Sequence, residues 1–246
     1  MSELIYGIHS VIEALKAGRR AFERIYVAEG RTPKRVALII DLAAARGITV
    51  QSGRSSVFES LSGQIHQGIA AEVSAYPLAD LSAILHGSEA DARPAFILVV
   101  DHVVDPQNLG SIIRTALAAG VHGIILPKVR AASPSPTVSR TSSGGMEHAL
   151  IACVTNISEV LKTLKTKGLW IVGTVIGSST DIYSVDLTAD IALVVGNEEN
   201  GIRPLVRKQC DFLVSIPQTD AVGSLNAAVA GAIALYEVVR QRSESP

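Results

Sequence analysis

One stretch decides the fold of this chain: residues 192–235 read ALVVGNEENGIRPLVRKQCDFLVSIPQTDAVGSLNAAVAGAIAL. Two short apolar runs lie in it or at its edge, at 191–195 and 211–216, and turn-forming residues follow each of them. Such runs are typical of strands in a parallel sheet that is covered on both faces. Helices are predicted after the strands, over 203–210 and 225–240. The stretch therefore indicates an α/β fold.

Two loops leave the carboxyl ends of these strands, at 196–201 and 217–224. Ligands bind beyond those ends in open α/β sheets, so the sequence predicts a ligand site here. Gly196 and Gly201 frame the first loop, but the loop has neither the Gly-Lys-Ser/Thr of a phosphate-binding loop nor the G-x-G-x-x-G of a dinucleotide site. A solvent-exposed loop without a ligand is the alternative interpretation.

The composition favours a core of small aliphatic residues. Hydrophobic residues make up 48% of the chain and aromatic residues only 4%, which suits an α/β fold better than an all-β fold. The two cysteines, Cys153 and Cys210, match neither a metal-binding nor a disulfide pattern, and no metal is predicted. We expect them to be partly buried thiols in a reducing cytosol.

The chain has no recognisable membrane or export segment. No apolar stretch approaches the roughly 20 residues that a membrane span requires. The first residues, MSELIYGIHS, lack the basic and apolar regions of a secretory signal. The sequence therefore predicts a cytoplasmic protein that makes no membrane contact.

Helices and strands alternate along the chain, which indicates a mostly parallel sheet. A small first domain is predicted over 1–75, and its first element is a helix at 4–17. Residues 76–92 carry only acidic charges and are interpreted as a linker to a second domain over 93–246. The segment 127–146 is rich in Ser and Pro and too long for a simple connection, so it is predicted to be a functional lid or a disordered loop.

An amide and a guanidinium stand close together in the first helix of the second domain. Asn108 is predicted to cap a helix over 109–119, and Arg114 lies within that otherwise apolar helix. Two interpretations of Arg114 are open. It could form an ion pair with Asp101 or Asp105, or it could be a fork-shaped donor to a phosphate or a developing oxyanion.

The last helix is preceded by Gly223-Ser-Leu-Asn226 and is rich in Ala and Gly in its first turns. The small residues indicate close helix packing. The simplest interpretation of Ser224 and Asn226 is that they cap this helix.

A basic cluster in the first domain could contact phosphates, although a solvated surface is the alternative. Its members are Arg19, Arg20, Arg24, Arg31, Lys34 and Arg35.

Three motifs, taken together, resemble those of the SpoU (TrmH) family of S-adenosylmethionine-dependent RNA 2′-O-methyltransferases. They are Asn108-Leu-Gly-Ser-Ile-Ile-Arg114, then Gly196-x-Glu198-x-x-Gly201, then Ile216-Pro217 followed by Ser224-Leu225-Asn226. The resemblance covers residues 95–242. The first domain, with Tyr6-Gly-Ile-His9 and His66-Gln-Gly-Ile69, looks like the small RNA-binding domain of the bacterial enzymes that methylate a guanosine of 23S rRNA.

The resemblance implies a trefoil-knotted (SPOUT-type) parallel-sheet domain, a homodimer, S-adenosylmethionine as cofactor and RNA, ribosomal RNA above all, as partner. It implies cofactor contacts, mainly through backbone, at Gly196, Ile216 and Leu225. The catalytic residues that it implies are Arg114, Asn108, Glu198, Ser224 and Asn226.

The sequence departs from the family pattern at several positions. Ala228 stands where relatives often have Ser, and Leu150 and Cys153 stand where they usually have Pro and Arg. The nucleotide target therefore stays open between a 23S rRNA guanosine, an rRNA adenosine and a tRNA. A non-catalytic RNA-binding protein on the same fold is the alternative from another functional class.

Overall fold

The computed structural model describes residues 2–30, 34–53, 56–197, 201–219 and 223–244. The first elements in chain order are β1 (Ser2–Tyr6), α1 (Ile8–Ala17), β2 (Phe22–Val27), α2 (Lys34–Ala44), β3 (Val50–Ser52), α3 (Ser56–Ser60) and β4 (Ile69–Ser74). The following elements are α4 (Leu81–Glu89), β5 (Phe96–Asp101), α5 (Pro106–Ala118), β6 (Gly123–Pro127), α6 (Pro136–Thr141), β7 (Ile151–Val154), α7 (Ile157–Thr166), β8 (Trp170–Thr174), β9 (Ile191–Gly196), α8 (Pro204–Arg207), β10 (Phe212–Val214) and α9 (Ala227–Glu244). Short 3-10 helices span Gly145–His148 and Ile182–Ser184.

The chain divides into two compact units whose boundaries differ from those of the predicted domains. The first unit comprises Met1–Pro77 and Pro134–His148, and the second comprises Leu78–Ser133 and Ala149–Pro246. Helix α4, which lies in the predicted linker, contributes Ile84 to the core of the second unit. The division of function between 1–75 and 93–246 stays a prediction.

The first unit contains a four-stranded sheet in the order β1-β4-β2-β3. The sequence does not reveal β1, because the helix predicted at 4–17 includes it. Ile5 pairs with Ala71 of β4 and is fully buried, which places residues 2–6 in the sheet. Gly7, at a φ of 91°, then turns the chain into α1, a conformation that glycine adopts without steric cost.

The segment Pro134–His148 is part of the core of the first unit, so the prediction of a lid or a disordered loop is wrong for these residues. The side chain of Arg20 is fully buried, and its Nε donates to Oε2 of Glu147 at 2.7 Å. Ser139 Oγ donates to Oε1 of the same carboxylate at 2.7 Å, and Tyr76 donates to the Met146 carbonyl at 3.0 Å. Buried charges of this kind require a partner, and this segment supplies it.

The predicted basic cluster does not form one phosphate-contacting face. The guanidinium of Arg20 is buried and already engaged in ion pairs with Glu147 and Glu3. Arg19 donates to the Tyr76 hydroxyl at 3.3 Å and to the Pro77 carbonyl at 3.1 Å. The interpretation is therefore wrong for Arg20. Arg31 and the side chain of Lys34 lie outside the described residues.

The second unit contains a six-stranded parallel sheet in the order β10-β8-β9-β5-β6-β7. Strands β5 and β9 are buried along their whole length and are almost entirely apolar, as a sheet covered on both faces requires. Helix α9 packs against α5 and β9. The predicted parallel α/β domain is confirmed, whereas the trefoil knot stays a prediction. Among the described residues, no helix is both long and apolar enough to cross a membrane.

Candidate active site

A cleft opens at the carboxyl ends of the neighbouring strands β9, β8 and β10. Its lining includes all three predicted cofactor contacts, Gly196, Ile216 and Leu225, together with Ser224. The remaining lining is mostly small or apolar and includes residues 174–176 and the start of α9. The structure thus brings the two predicted loops together around one site.

The first loop is closed by its own backbone. Asn197 N donates to the Gly201 carbonyl at 3.2 Å, and Gly201 N donates to the Asn197 carbonyl at 3.0 Å. Gly201 has a φ of +61°, which favours glycine. Glu198, predicted to be catalytic, lies outside the described residues. The described ends of the loop are therefore held together beside the cleft.

The segment that follows β8 also lines the cleft, and it runs beside β10. Val175 N donates to the Val214 carbonyl at 2.8 Å. Ser178 Oγ donates to the Leu213 carbonyl at 2.7 Å, and Ser215 Oγ donates to the Ser178 carbonyl at 2.9 Å. These bonds fix the backbone that leads to Ile216.

Two predicted catalytic amides meet beside this cleft. Asn226 Nδ2 donates to Asn108 Oδ1 at 3.1 Å. Asn226 Oδ1 also accepts from Ala228 N at 2.9 Å, so the residue caps α9 as predicted. The prediction that Asn108 caps α5 is wrong, because the helix begins at Pro106 and Asp105 caps it. Asn108 instead joins the first turn of α5 to the start of α9.

Arg114 lies on α5, six residues after Asn108, and its side chain is exposed. Asp101, one of the partners considered for it, is engaged by Arg203. Arg114 is therefore placed on the helix that also carries Asn108, with its guanidinium reachable from solvent.

Asp101 lies next to this site, although its sequence position indicated only a possible ion pair with Arg114. Its side chain is fully buried at the end of β5, where Asp101 pairs with Gly196 of β9. Oδ2 accepts from Arg203 N at 2.9 Å, and Oδ1 accepts from Arg203 Nε at 2.8 Å. The carboxylate thus fixes the chain directly after the loop 197–201. The signal that could have revealed this role of Asp101 is its position as an acidic residue at the end of the apolar run FILVVD.

The two cysteines are free and partly buried, as predicted. Burial raises the pKa of the Cys210 thiol to about 12 and also raises the pKa of Cys153. Neither thiol is thus activated as a nucleophile. Within the described ranges, no group of three His, Cys, Asp or Glu side chains could hold a metal ion.

Comparison with known proteins identifies the family. Residues 95–236 match the SpoU rRNA Methylase family, and residues 4–79 match the substrate-binding domain of RNA 2′-O ribose methyltransferases. This chain belongs to the SpoU rRNA methylase family. The predicted enzyme class, an RNA 2′-O-methyltransferase, is confirmed, and so is RNA as its substrate.

Relatives resemble the chain along its whole length. A 23S rRNA (guanosine-2′-O-)-methyltransferase, RlmB of Coxiella burnetii, is 41% identical over 98% of this chain and 96% of its own. RlmB of Escherichia coli K12 is 38% identical over 99% of this chain and 100% of its own. The crystal structure of the SpoU methyltransferase AviRb from Streptomyces viridochromogenes, in complex with AdoMet, has a TM-score of 0.83 at 26% identity and covers 99% of this chain and 92% of that one.

The cofactor predicted for this SpoU methylase, S-adenosylmethionine, is confirmed, and the cleft fits it. A Cβ at Gly196 would overlap the backbone of Gly201, so the backbone here approaches more closely than any side chain would allow. Ile216 and Leu225 supply apolar surface to the same cleft. A cleft built from backbone groups and small apolar side chains suits an adenosine better than a highly charged ligand.

Replacing Asp101 with asparagine is expected to weaken S-adenosylmethionine binding about tenfold or more. Hydrogen bonds to charged groups contribute about 1.5–3 kcal/mol each, and about 1.4 kcal/mol corresponds to a factor of ten in affinity. The effect arises because asparagine keeps only one acceptor oxygen and no charge, so residue 101 would hold Arg203, just after the loop 197–201, less firmly. Calorimetry on the folded variant measures the affinity directly.

Asp211→Asn is the matched control for this experiment. Asp211 also accepts from a strand backbone, Ile171 N at 2.9 Å, and pairs with Lys165 at 2.7 Å, but it lies at the amino end of the sheet. The control should lower the melting temperature and leave cofactor affinity unchanged. An equal drop in affinity in both variants would show that Asp101 acts through general stability alone.

Proposed function

We propose that this SpoU methylase transfers a methyl group to the ribose 2′-oxygen of a guanosine in 23S rRNA. The observation that carries the proposal is the 38–41% identity, over nearly the full length of both chains, to enzymes named for that reaction. The contact between Asn108 and Asn226, beside the cleft, supports catalysis over a purely RNA-binding role. An rRNA adenosine or a tRNA is the alternative target.

The chain's own residues have two tasks, to align the ribose and to assist removal of the hydroxyl proton. When bound, S-adenosylmethionine supplies a methyl group activated on its sulfonium sulfur. Arg114 forks onto the phosphate of the target nucleotide and stabilises the developing alkoxide, and the hydroxyl proton passes to water. Asn108, fixed by Asn226, orients the nucleotide from the start of the same helix. Glu198 and Ser224 hold the ribose or the arginine from the other loops.

The target is tested in a strain that lacks the gene for this chain. Mass mapping of its ribosomal and transfer RNA should show one 2′-O-methylguanosine of 23S rRNA missing, and expression of the wild-type chain should restore it. A modification missing instead from an adenosine or a tRNA would select the alternative target. Purified protein that binds RNA and never transfers a methyl group would support the non-catalytic alternative.

The two parts of the chain are proposed to divide the work. Residues 1–75 hold the RNA and residues 93–246 carry out the chemistry. The match of residues 4–79 to a substrate-binding family supports the first role, and the cofactor cleft supports the second. A cytoplasmic location follows from the proposed substrate.

The enzyme is also proposed to be a homodimer. Val229 and Tyr236 of α9 are 48% and 51% exposed and stand seven residues apart, on one face of the helix. Tyr236→Glu is expected to shift sedimentation at micromolar protein from dimer to monomer, because a charge would be buried in the interface. Tyr183→Glu, at a tyrosine that is 52% exposed outside α9, is the control and should stay dimeric. A dimeric Tyr236→Glu variant would place the interface elsewhere.

A further inference from the structure

The two motifs of the first unit meet at the start of α1. Tyr6 donates from its hydroxyl to Gln64 Oε1 at 3.0 Å, and Ile8 N donates to Gln67 Oε1 at 3.1 Å. Gln67 has a φ of 54°, a left-handed conformation that is uncommon for a residue other than glycine. The turn that carries Gln67 is therefore held against the first turn of α1 at the expense of backbone strain.

Arg140 reaches the same place from α6. A Cβ built on Gly7 would lie 3.8 Å from Arg140 Cγ and 3.7 Å from Gln67 Oε1. The Nε of Arg140 is buried and finds no hydrogen-bond acceptor among the described residues. A buried donor without an acceptor is costly, and within the described residues the guanidinium forms no ion pair. Arg140 is thus a cation that the described part of the first unit leaves without an anion.

A second cation stands beside the first turn of α1. Arg35 is exposed, and its Nη1 lies 3.0 Å from Nε2 of the exposed His9. Within the described part of the chain Arg35 has no carboxylate partner. Glu13, an acid of the same helix as His9, is engaged by Lys16 at 2.8 Å and by His148 at 2.8 Å. The positive charge near His9 is therefore not neutralised from within the described residues.

An apolar side chain completes this surface. Ile65 is 68% exposed, and its carbonyl oxygen would lie 3.8 Å from a Cβ on Gly7. Exposed cations and an exposed aliphatic side chain near the same turn suit a nucleic acid, which offers phosphates and the flat faces of unpaired bases. A protein partner rich in acidic groups would lack the second of these features.

We infer that this α1 surface, formed by His9, Arg35, Ile65, Gln67 and Arg140, is where the first unit contacts the phosphate backbone of its RNA. The inference rests on the proposed function. It keeps Arg35 of the predicted basic cluster as an RNA contact and excludes Arg20, whose guanidinium is buried in ion pairs. Arg35 and Arg140 fork onto phosphate oxygens, and Ile65 packs against an adjacent base or ribose.

The test is filter binding of the full-length protein to an unmodified 23S rRNA transcript at several salt concentrations. The double variant Arg35→Gln, Arg140→Gln is expected to bind about tenfold or more weakly, because each neutralised phosphate adds salt-dependent affinity. Its plot of log affinity against log salt should be shallower by about 0.7–0.9 for each phosphate that the variant no longer neutralises. S-adenosylmethionine affinity should be unchanged, and Arg35→Gln alone should weaken RNA binding by a smaller factor.

Arg24→Gln is the matched control, because Arg24 is another exposed arginine of the first unit that donates to a neutral side chain, Gln51. It should bind the transcript like the wild type. If the double variant had the RNA affinity of the wild type and the same dependence on salt, the α1 surface would not be the RNA contact. The proposed function would still stand. An equal weakening in Arg24→Gln would also overturn the α1 surface, as a general effect of charge. A wild-type protein that neither binds nor methylates the transcript would overturn both proposals.

Discussion

Arg114→Ala is expected to reduce methyl transfer at least about 10²-fold, or about 2.7 kcal/mol of transition-state stabilisation. An arginine stays protonated in proteins and is a poor base, so its contribution must be electrostatic and orientational. The side chain is exposed on α5, so its removal leaves no cavity in the core. Single-turnover transfer to the RNA transcript measures the effect, with calorimetry to confirm cofactor binding.

Arg114→Lys separates charge from shape. Lysine keeps the positive charge but cannot donate two parallel hydrogen bonds to one phosphate. We therefore expect it to recover little of the wild-type rate, while both variants bind S-adenosylmethionine and melt like the wild type. A substantial rate in Arg114→Ala would remove Arg114 from the mechanism. Near-normal activity in Arg114→Lys would show that charge alone suffices.

The buried strands are predictable because their signal is local. The run 191–195 predicts a strand, and the structure has β9 there, Ile191–Gly196. The strand predicted at 211–216 and the helix predicted at 203–210 are shorter in the structure, as Phe212–Val214 and Pro204–Arg207. The surrounding residues are turns and loops whose ends are set by tertiary hydrogen bonds, which no local pattern contains.

The contacts that complete each unit join residues far apart in the chain. Arg20 and Glu147 are 127 residues apart, and Asn108 and Asn226 are 118 apart. A basic residue in a surface cluster and a buried member of an ion pair look alike in sequence, so the prediction for Arg20 is wrong. The predicted cap at Asn108 is wrong for a local reason, because the helix begins two residues earlier, at Pro106, and Asp105 caps it. That Gly196 and Ile216 lie close together is predictable, because each follows a parallel strand and such strands end at the same edge of the sheet.

Gly196→Ala is expected to weaken S-adenosylmethionine binding by about tenfold or more. The added Cβ would overlap the backbone C and O of Gly201 and lie 2.5 Å from Ile202 N, where no flexible side chain can yield. Such overpacking costs about 1–3 kcal/mol, and if the loop moves to relieve it the affinity falls by about tenfold or more. Calorimetric titration with S-adenosylmethionine measures the loss of affinity, and a melting curve of each variant measures the loss of stability.

Gly231→Ala adds the same methyl group next to Val195, the residue of β9 that precedes Gly196. A Cβ at Gly231 would lie 3.7 Å from both Ile112 and Val195, an ordinary contact, and alanine favours the helix by about 1 kcal/mol. This control should keep its cofactor affinity and melt at the same or a higher temperature. If Gly196→Ala bound S-adenosylmethionine as tightly as Gly231→Ala, the close approach of the loop at Gly196 would have no part in holding the cofactor. The cleft would then owe its affinity to other lining residues, such as Ile216 and Leu225.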